Sequence, residues 1–131
     1  PYTVRYASNL DDGAWHGAPL GGFGAGCIGR SSRGDFNLWH IDGGEHIFES
    51  MPACQFSVFE QVGEQSQAYA LTTDQTLESW RSYPQNSGTY AALYPRSWFQ
   101  YENVLQTQLT CEQFSPIISD NYQETSYPVA V

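Results

Sequence analysis

Residues 104–113, VLQTQLTCEQ, alternate without a break: Leu105, Thr107, Leu109 and Cys111 fall on one side, and Gln106, Gln108, Thr110 and Glu112 on the other. A period of two with one apolar-leaning face and one polar face marks a strand of an antiparallel sheet, buried on one side and wet on the other. A helix needs apolar positions three and four apart, and no window of the chain sustains that spacing beyond a turn or two. This stretch sets the fold class as all-β.

Working outward, Thr89 to Tyr101 is dense in Tyr, Trp and Phe and is interrupted by Pro95. Cys54, Phe56 and Val58 alternate with Gln55 and Ser57, Gly63-Glu64 offers a turn, and Gln67 to Thr73 reads as the returning arm of a hairpin. Asp74 to Ser79 reads as one short helical turn, ended by the segment Trp80 to Pro84. Ser115 to Ile118 and Tyr127 to Val131 read as further strands, with a turn at Ser119-Asp120-Asn121 between them. At the other end, residues 1–17 read as an extended lead-in with a turn at Asn9 to Gly13. Five to seven short strands separated by turns predict an antiparallel β-sandwich. The chain begins without Met and stops inside an apparent strand, so residues 1–131 read as a partial, incomplete sandwich domain.

Composition narrows the function classes. Charged residues make up 15% of the chain, against about 25% in an ordinary soluble domain, and aromatics another 15%. That profile suits a β-rich unit with large side chains and excludes disorder. A formal net charge of −9 disfavours nucleic acid and anionic membrane surfaces, both of which need a basic patch. Neutral ligands such as sugars stay open. No apolar run approaches the roughly 18 residues of a membrane span, and the N-terminus lacks the basic and apolar regions of a signal peptide. Cys27, Cys54 and Cys111 are odd in number and form no CxxC pair, which favours reduced thiols and a cytoplasmic location.

The chemistry concentrates in Ala18 to Gly44, APLGGFGAGCIGRSSRGDFNLWHIDGG, which holds eight of the twelve glycines and two of the five basic residues, Arg30 and Arg33. Glycine at this density means backbone that turns with positive φ or lies against another surface. Gly24-x-Gly26-x-x-Gly29 spells the dinucleotide fingerprint, which works only where a helix opens after a strand and receives the pyrophosphate. Arg30-Ser31-Ser32-Arg33-Gly34-Asp35 is a poor helix start, so nucleotide binding is set aside. The adhesion tripeptide Arg33-Gly34-Asp35 is discounted as a chance match. His40, Glu45 and His46 lack a recognisable ligand spacing, so no metal and no cofactor is expected. Glycoside cleavage needs two carboxylates, yet nothing singles out Asp35, Asp42, Glu45 or Glu49. The aromatics Trp80, Tyr83, Tyr90, Tyr94, Trp98, Phe99 and Tyr101 read as core and interface in preference to a sugar-stacking platform.

The run Pro19 to Arg30, then Arg33 to Phe36 and Trp39-His40, resembles the N-terminal region of glycoside hydrolase family 116, a family of β-glucosidases and glucosylceramidases. The likeness continues through Gln55 to Val58, Ala92 to Trp98, Leu109 to Ile118 and Asp120 to Val131, in the family's order. Cys27 stands where the family pattern has Ser or Thr, and Phe23 often where it has Ile; neither position is catalytic. The resemblance implies an N-terminal β-sandwich followed by an (α/α)6 barrel that carries a glutamate nucleophile and an aspartate acid/base. Both lie outside this chain, so no catalytic residue is assigned. It also implies that the chain's partners are its own C-terminal catalytic domain and a β-glucoside substrate, with membrane association if that substrate is a glycolipid. Arg30 and Asp35 are then candidates for cross-domain polar contacts, and Trp39 and His40 for the rim of the substrate pocket. The alternative is a stand-alone carbohydrate-binding sandwich without catalysis.

Overall fold

The computed structural model describes residues 18–131 apart from residues 43, 44, 46 and 75. The expected turn at Asn9 to Gly13 lies outside the described residues. Three antiparallel sheets form an open, incomplete sandwich. The first contains β1 (Ala18–Leu20), β2 (Cys27–Arg30), β3 (Phe36–His40) and β4 (Ile47–Phe48) in that order. The second is the hairpin of β5 (Ser57–Val62) and β6 (Gln65–Ala70). The third runs β7 (Gly88–Leu93), β8 (Arg96–Tyr101), β9 (Leu109–Phe114). A 3-10 turn at Pro52–Cys54 and a single short helix, α1 (Tyr122–Thr125), complete the described elements.

The β5–β6 hairpin closes in two residues, with Gly63 at φ +61° ahead of Glu64 at ordinary φ, the φ signature of a type II′ turn. Its register pairs Val58 with Tyr69 and Glu60 with Gln67, placing these four on one face. That face meets the β7–β8–β9 sheet in the core, where Tyr69, Leu71, Tyr83, Phe99 and Tyr101 are buried and Val58, Tyr90, Leu105, Leu109 and Cys111 pack around them. Tyr83 sits edge-on to Tyr101 at 5.1 Å and to Tyr69 at 5.6 Å. Each such ring pair adds about 0.5–1.5 kcal/mol to the area buried. The expected aromatic core is therefore Tyr83, Phe99 and Tyr101, while Trp80 and Tyr94 stay exposed.

Besides the unforeseen short strands β1 to β4 and the Cys54 to Val58 alternation, whose strand begins only at Ser57 after the 3-10 turn, the fold differs from the sequence reading in four places. β9 begins at Leu109, and residues 104–108 form a loop although their alternation is unbroken. The reason is Glu60: its carboxylate accepts the backbone N–H groups of Gln106 (3.0 Å) and Thr107 (2.7 Å) and the side-chain amide of Gln67 (2.6 Å). Those amides are taken by a side chain and leave the ladder. Second, Ser115 to Ile118 is not a strand, because the Ser115 N–H bonds Pro95 O (3.1 Å) and its hydroxyl accepts the Gly21 N–H (2.9 Å). Third, α1 occupies Tyr122–Thr125, capped by Asn121, whose side chain accepts the Glu124 N–H at 3.1 Å. Tyr127 to Val131 forms no strand, although Val131 and Phe114 exchange both backbone hydrogen bonds. Fourth, the described part of residues 74–79 is not helical; a turn at residues 77–80 is closed by Trp80 N–H to Leu77 O (2.8 Å).

The Glu60 bonds carry a pH prediction. Gln106, then Thr107 and Gln67, stabilise the carboxylate and hold its pKa well below the ordinary 4.5, at about 2. A depressed folded-state pKa stabilises the fold above the unfolded value, and that stabilisation is lost as pH falls from about 4.5 towards about 2. Glu60→Gln is expected to unfold at lower temperature than wild type at neutral pH. The gap should close as acid is added through that window. Parallel thermal melts of the two proteins check it, and a gap independent of pH contradicts it.

Candidate functional site

The glycine-rich stretch folds as two hairpins. β1 and β2 are joined by the turn Gly21 to Gly26, and β2 pairs with β3 so that Cys27 faces His40 and Ile28 faces Trp39. Gly26 has φ +81°, and a Cβ there would stand 2.5 Å from the His40 carbonyl oxygen. Gly22 lies flat against the chain beyond α1, where an added Cβ would come within 2.2 Å of Tyr127 O. Glycine is required at these two positions for two reasons: a left-handed turn at the first and a close backbone approach at the second.

Arg30 is 2% exposed and ties all three sheets together. Its Nε donates to Gly34 O (2.7 Å), Nη1 to Cys111 Sγ on β9 (2.7 Å), and Nη2 to Tyr101 Oη at the end of β8 (2.6 Å) and Leu71 O beyond β6 (3.3 Å). Its guanidinium also lies over the rings of Phe36 (5.7 Å) and Phe56 (5.5 Å). Burial pushes the Tyr101 phenol up to about 12 against the opposing pull of Arg30, so Tyr101 remains neutral and donates to Leu71 O (3.1 Å). Asp35, equally buried, accepts from the Ser31 hydroxyl, and the two residues also share a backbone bond, Ser31 N–H to Asp35 O (2.8 Å). Arg30 and Asp35 thus spend their polar groups inside this chain. Buried Asp35, together with the ion pair between Arg33 and Asp74, leaves the Arg33-Gly34-Asp35 tripeptide built into the fold.

Trp39 and His40 are half-buried and lie at the surface of the same sheet. The Trp39 Nε1–H donates to Glu49 O (2.8 Å), and His40 Nδ1 donates to Glu45 O (3.0 Å). His40 borders an open groove of about 400 Å³ with Phe23, Cys27, Ile41 and the backbone of the glycine turn. The structure therefore divides the four sequence-derived candidates into a buried pair, Arg30 and Asp35, and a half-buried pair, of which His40 lines the groove while Trp39, next to it on the strand, points to the other face of the sheet. The helix that a dinucleotide site requires is replaced by β2, which runs through Gly29. Among the described residues no three His, Cys, Asp or Glu side chains converge on a metal position; His46 lies outside them.

Sequence reasoning missed Glu60 and the partners of Arg30. Glu60 had a visible signal, since it shares a strand face with Val58 and so places a carboxylate on the apolar side. Leu71, Tyr101 and Cys111 had none, lying 41, 71 and 81 residues from Arg30.

The described chain is thus a mainly β unit of three antiparallel sheets, braced by a buried arginine at the end of β2. Residues 17–131 match the family model described as beta-glucosidase 2, glycosyl-hydrolase family 116 N-term. The chain belongs to this family of glycosyl hydrolases, as its N-terminal region.

Proposed function

We propose that this chain is a non-catalytic N-terminal β-sandwich, partial over residues 1–131, of a retaining β-glucosidase or glucosylceramidase that hydrolyses β-glucosides. It supports its own C-terminal catalytic (α/α)6 domain, docking through the end that carries the glycine turn. One observation carries this reading. Hydrogen bonds join the glycine turn, the β7–β8 turn and the segment around α1 into one end: Gly21 to Ser115, Ser115 to Pro95, Phe23 N–H to Thr125 O (3.1 Å) and Ile118 N–H to Thr125 Oγ1 (3.0 Å). These same segments expose Phe23, Tyr94, Ile118, Tyr122 and Tyr127. A soluble surface that gathers large apolar side chains in this way marks a protein–protein contact.

In this arrangement Trp39 and His40 lie at the rim of the substrate pocket, while Arg30 braces β2 against the other two sheets and Asp35 holds the turn between β2 and β3 through Ser31. Phe23, 52% exposed at the tip of the turn, is the natural probe. In the intact enzyme, Phe23→Asp is expected to lower kcat/KM at least about tenfold, because burying an unpaired carboxylate at a contact costs more than the 1.4 kcal/mol such a factor represents. Unchanged kinetics and an unchanged melting profile would sink the docking role. The reading carries a cytoplasmic location, membrane-associated if the glucoside is a glycolipid. Fractionation of cells expressing the intact protein tests this.

A further inference from the structure

The edge of the β7–β8–β9 sheet formed by β9 carries a second feature. Phe114 N–H donates to Val131 O (2.9 Å) and Val131 N–H donates to Phe114 O (3.0 Å). Two residues that exchange both bonds form one rung of an antiparallel ladder. Backbone groups along a strand alternate in direction, so Thr110 and Glu112 turn their N–H and C=O groups to the same side as Phe114, away from β8. Both residues are exposed. Among the described residues, no backbone group other than those of Val131 bonds Thr110, Glu112 or Phe114 from that side. The route to the rung is fixed. Ser115 Oγ accepts the Gly21 N–H (2.9 Å), and Thr125 in α1 accepts the Phe23 N–H at its carbonyl (3.1 Å) and the Ile118 N–H at its hydroxyl (3.0 Å). The chain turns back through α1 and brings Val131 to Phe114 running against β9.

We propose that this edge is the docking site of the segment that follows Val131 in the intact enzyme, which adds a fourth strand to the sheet, antiparallel to β9. This pairing rests on the reading of the chain as one part of a longer enzyme, and not on which end meets the catalytic domain. Each step beyond Val131 opposes one step back from Phe114, so positions 132, 134 and 136 face Gln113, Cys111 and Leu109, and positions 133 and 135 face Glu112 and Thr110. The first three lie on the core side, where Leu109 and Cys111 are only partly buried against the aromatic cluster. Apolar side chains at 134 and 136 complete that margin. The other two lie on the outer face, beside the exposed ion pair of Arg96 with Glu112 (2.7 Å). One buried and one wet face is the ordinary pattern of an antiparallel strand. The pairing also closes an edge whose open N–H and C=O groups invite a foreign strand. Five residues in a strand cover about 17 Å. The chain therefore runs from the end of the sheet that carries the glycine turn towards the other end before it turns to the catalytic domain.

Hydrogen–deuterium exchange of the intact enzyme, resolved to single amides, tests whether the edge is covered. The Thr110 and Glu112 amides should exchange at least about a hundredfold more slowly than unpaired amides. Photo-cross-linking amino acids placed singly at Thr110 and Glu112 then identify what covers them. Both side chains are exposed, so neither replacement disturbs the core. Products from position 112 should centre on position 133 and those from position 110 on position 135, the shift that an antiparallel partner in this register requires. Exchange at the open rate overturns the pairing. So do protected amides whose cross-links lead to residues 1–17, to a second copy of the chain or to no segment beyond 131, and so do products that shift in the opposite sense. Failure of the docking reading appears separately: Phe23→Asp would hydrolyse substrate normally while the β9 edge stayed protected.

Discussion

Arg30→Ala is expected to lower the free energy of unfolding by about 3 kcal/mol, more than any other single side-chain truncation in the glycine-rich stretch. The estimate follows from what the guanidinium holds. It donates to Gly34 O, Cys111 Sγ, Tyr101 Oη and Leu71 O, and hydrogen bonds to a charged group are worth about 1.5–3 kcal/mol each before the cost of burying that charge. Contacts with Phe36 and Phe56 add about 0.5–1 kcal/mol apiece. Burying the charge with no carboxylate partner among the described residues offsets much of this sum, because desolvation of an ion is expensive. What remains is the cavity, and a Gly34 carbonyl left without its 2.7 Å donor. Arg30→Met should recover part of the loss by refilling the space between the two rings. Arg30→Lys should not, since one ammonium cannot reproduce a planar fork that reaches four acceptors. Denaturant unfolding of the three variants measures the series. A wild-type midpoint for Arg30→Ala would remove the residue from its bracing role.

Gly26→Ala should destabilise by a comparable amount, for a different reason. A left-handed φ costs an L-residue about 1–2 kcal/mol. Here the new methyl must also displace the His40 carbonyl, 2.5 Å from its position. That carbonyl belongs to a strand paired directly with the one that Gly26 leads into, Cys27 opposite His40, so it cannot swing aside without opening the β2–β3 ladder. A total near 3 kcal/mol is the expectation. Gly24→Ala provides the internal comparison. Its φ is +72°, but an added Cβ meets nothing within 4 Å, so the variant should lose only the conformational cost of about 1 kcal/mol. Equal effects at the two positions would show that the contact with His40 is irrelevant. In the intact enzyme Gly26→Ala should also disturb the groove beside His40, and with it the substrate kinetics.

How much of this was legible in the sequence depends on the range of the interactions. The β5–β6 hairpin was visible because a turn residue lies between two short patterns, although those patterns, Cys54 to Val58 and Gln67 to Thr73, sit a few residues outside the strands Ser57–Val62 and Gln65–Ala70. The alternation at Leu109 to Glu112 was correctly a strand, and its extension back to Val104 was not. Period alone cannot reveal that Glu60, 46 residues earlier, captures the amides of Gln106 and Thr107. β1 to β4 were hidden for the opposite reason: strands of two to five residues between glycine turns are too short to show a period. They raise the strand count from the expected five to seven to nine among the described residues. Arg30 stood out because basic residues are scarce. Its direction was not readable, since burial is a property of the packed sheets. Trp39 and His40, read as candidates for a pocket rim, lie half-buried on β3, a strand too short to show its period.

The docking claim is tested most directly by placing a photo-cross-linking amino acid at Phe23 in the intact enzyme and mapping its products by mass spectrometry, with Phe59 as the comparison site. Cross-links from position 23 to residues beyond 131, with none from position 59, are the result this account predicts. Position 23 reacting only with solvent or with this β-domain itself, while position 59 reaches the rest of the enzyme, would place the catalytic partner on the opposite face and contradict it.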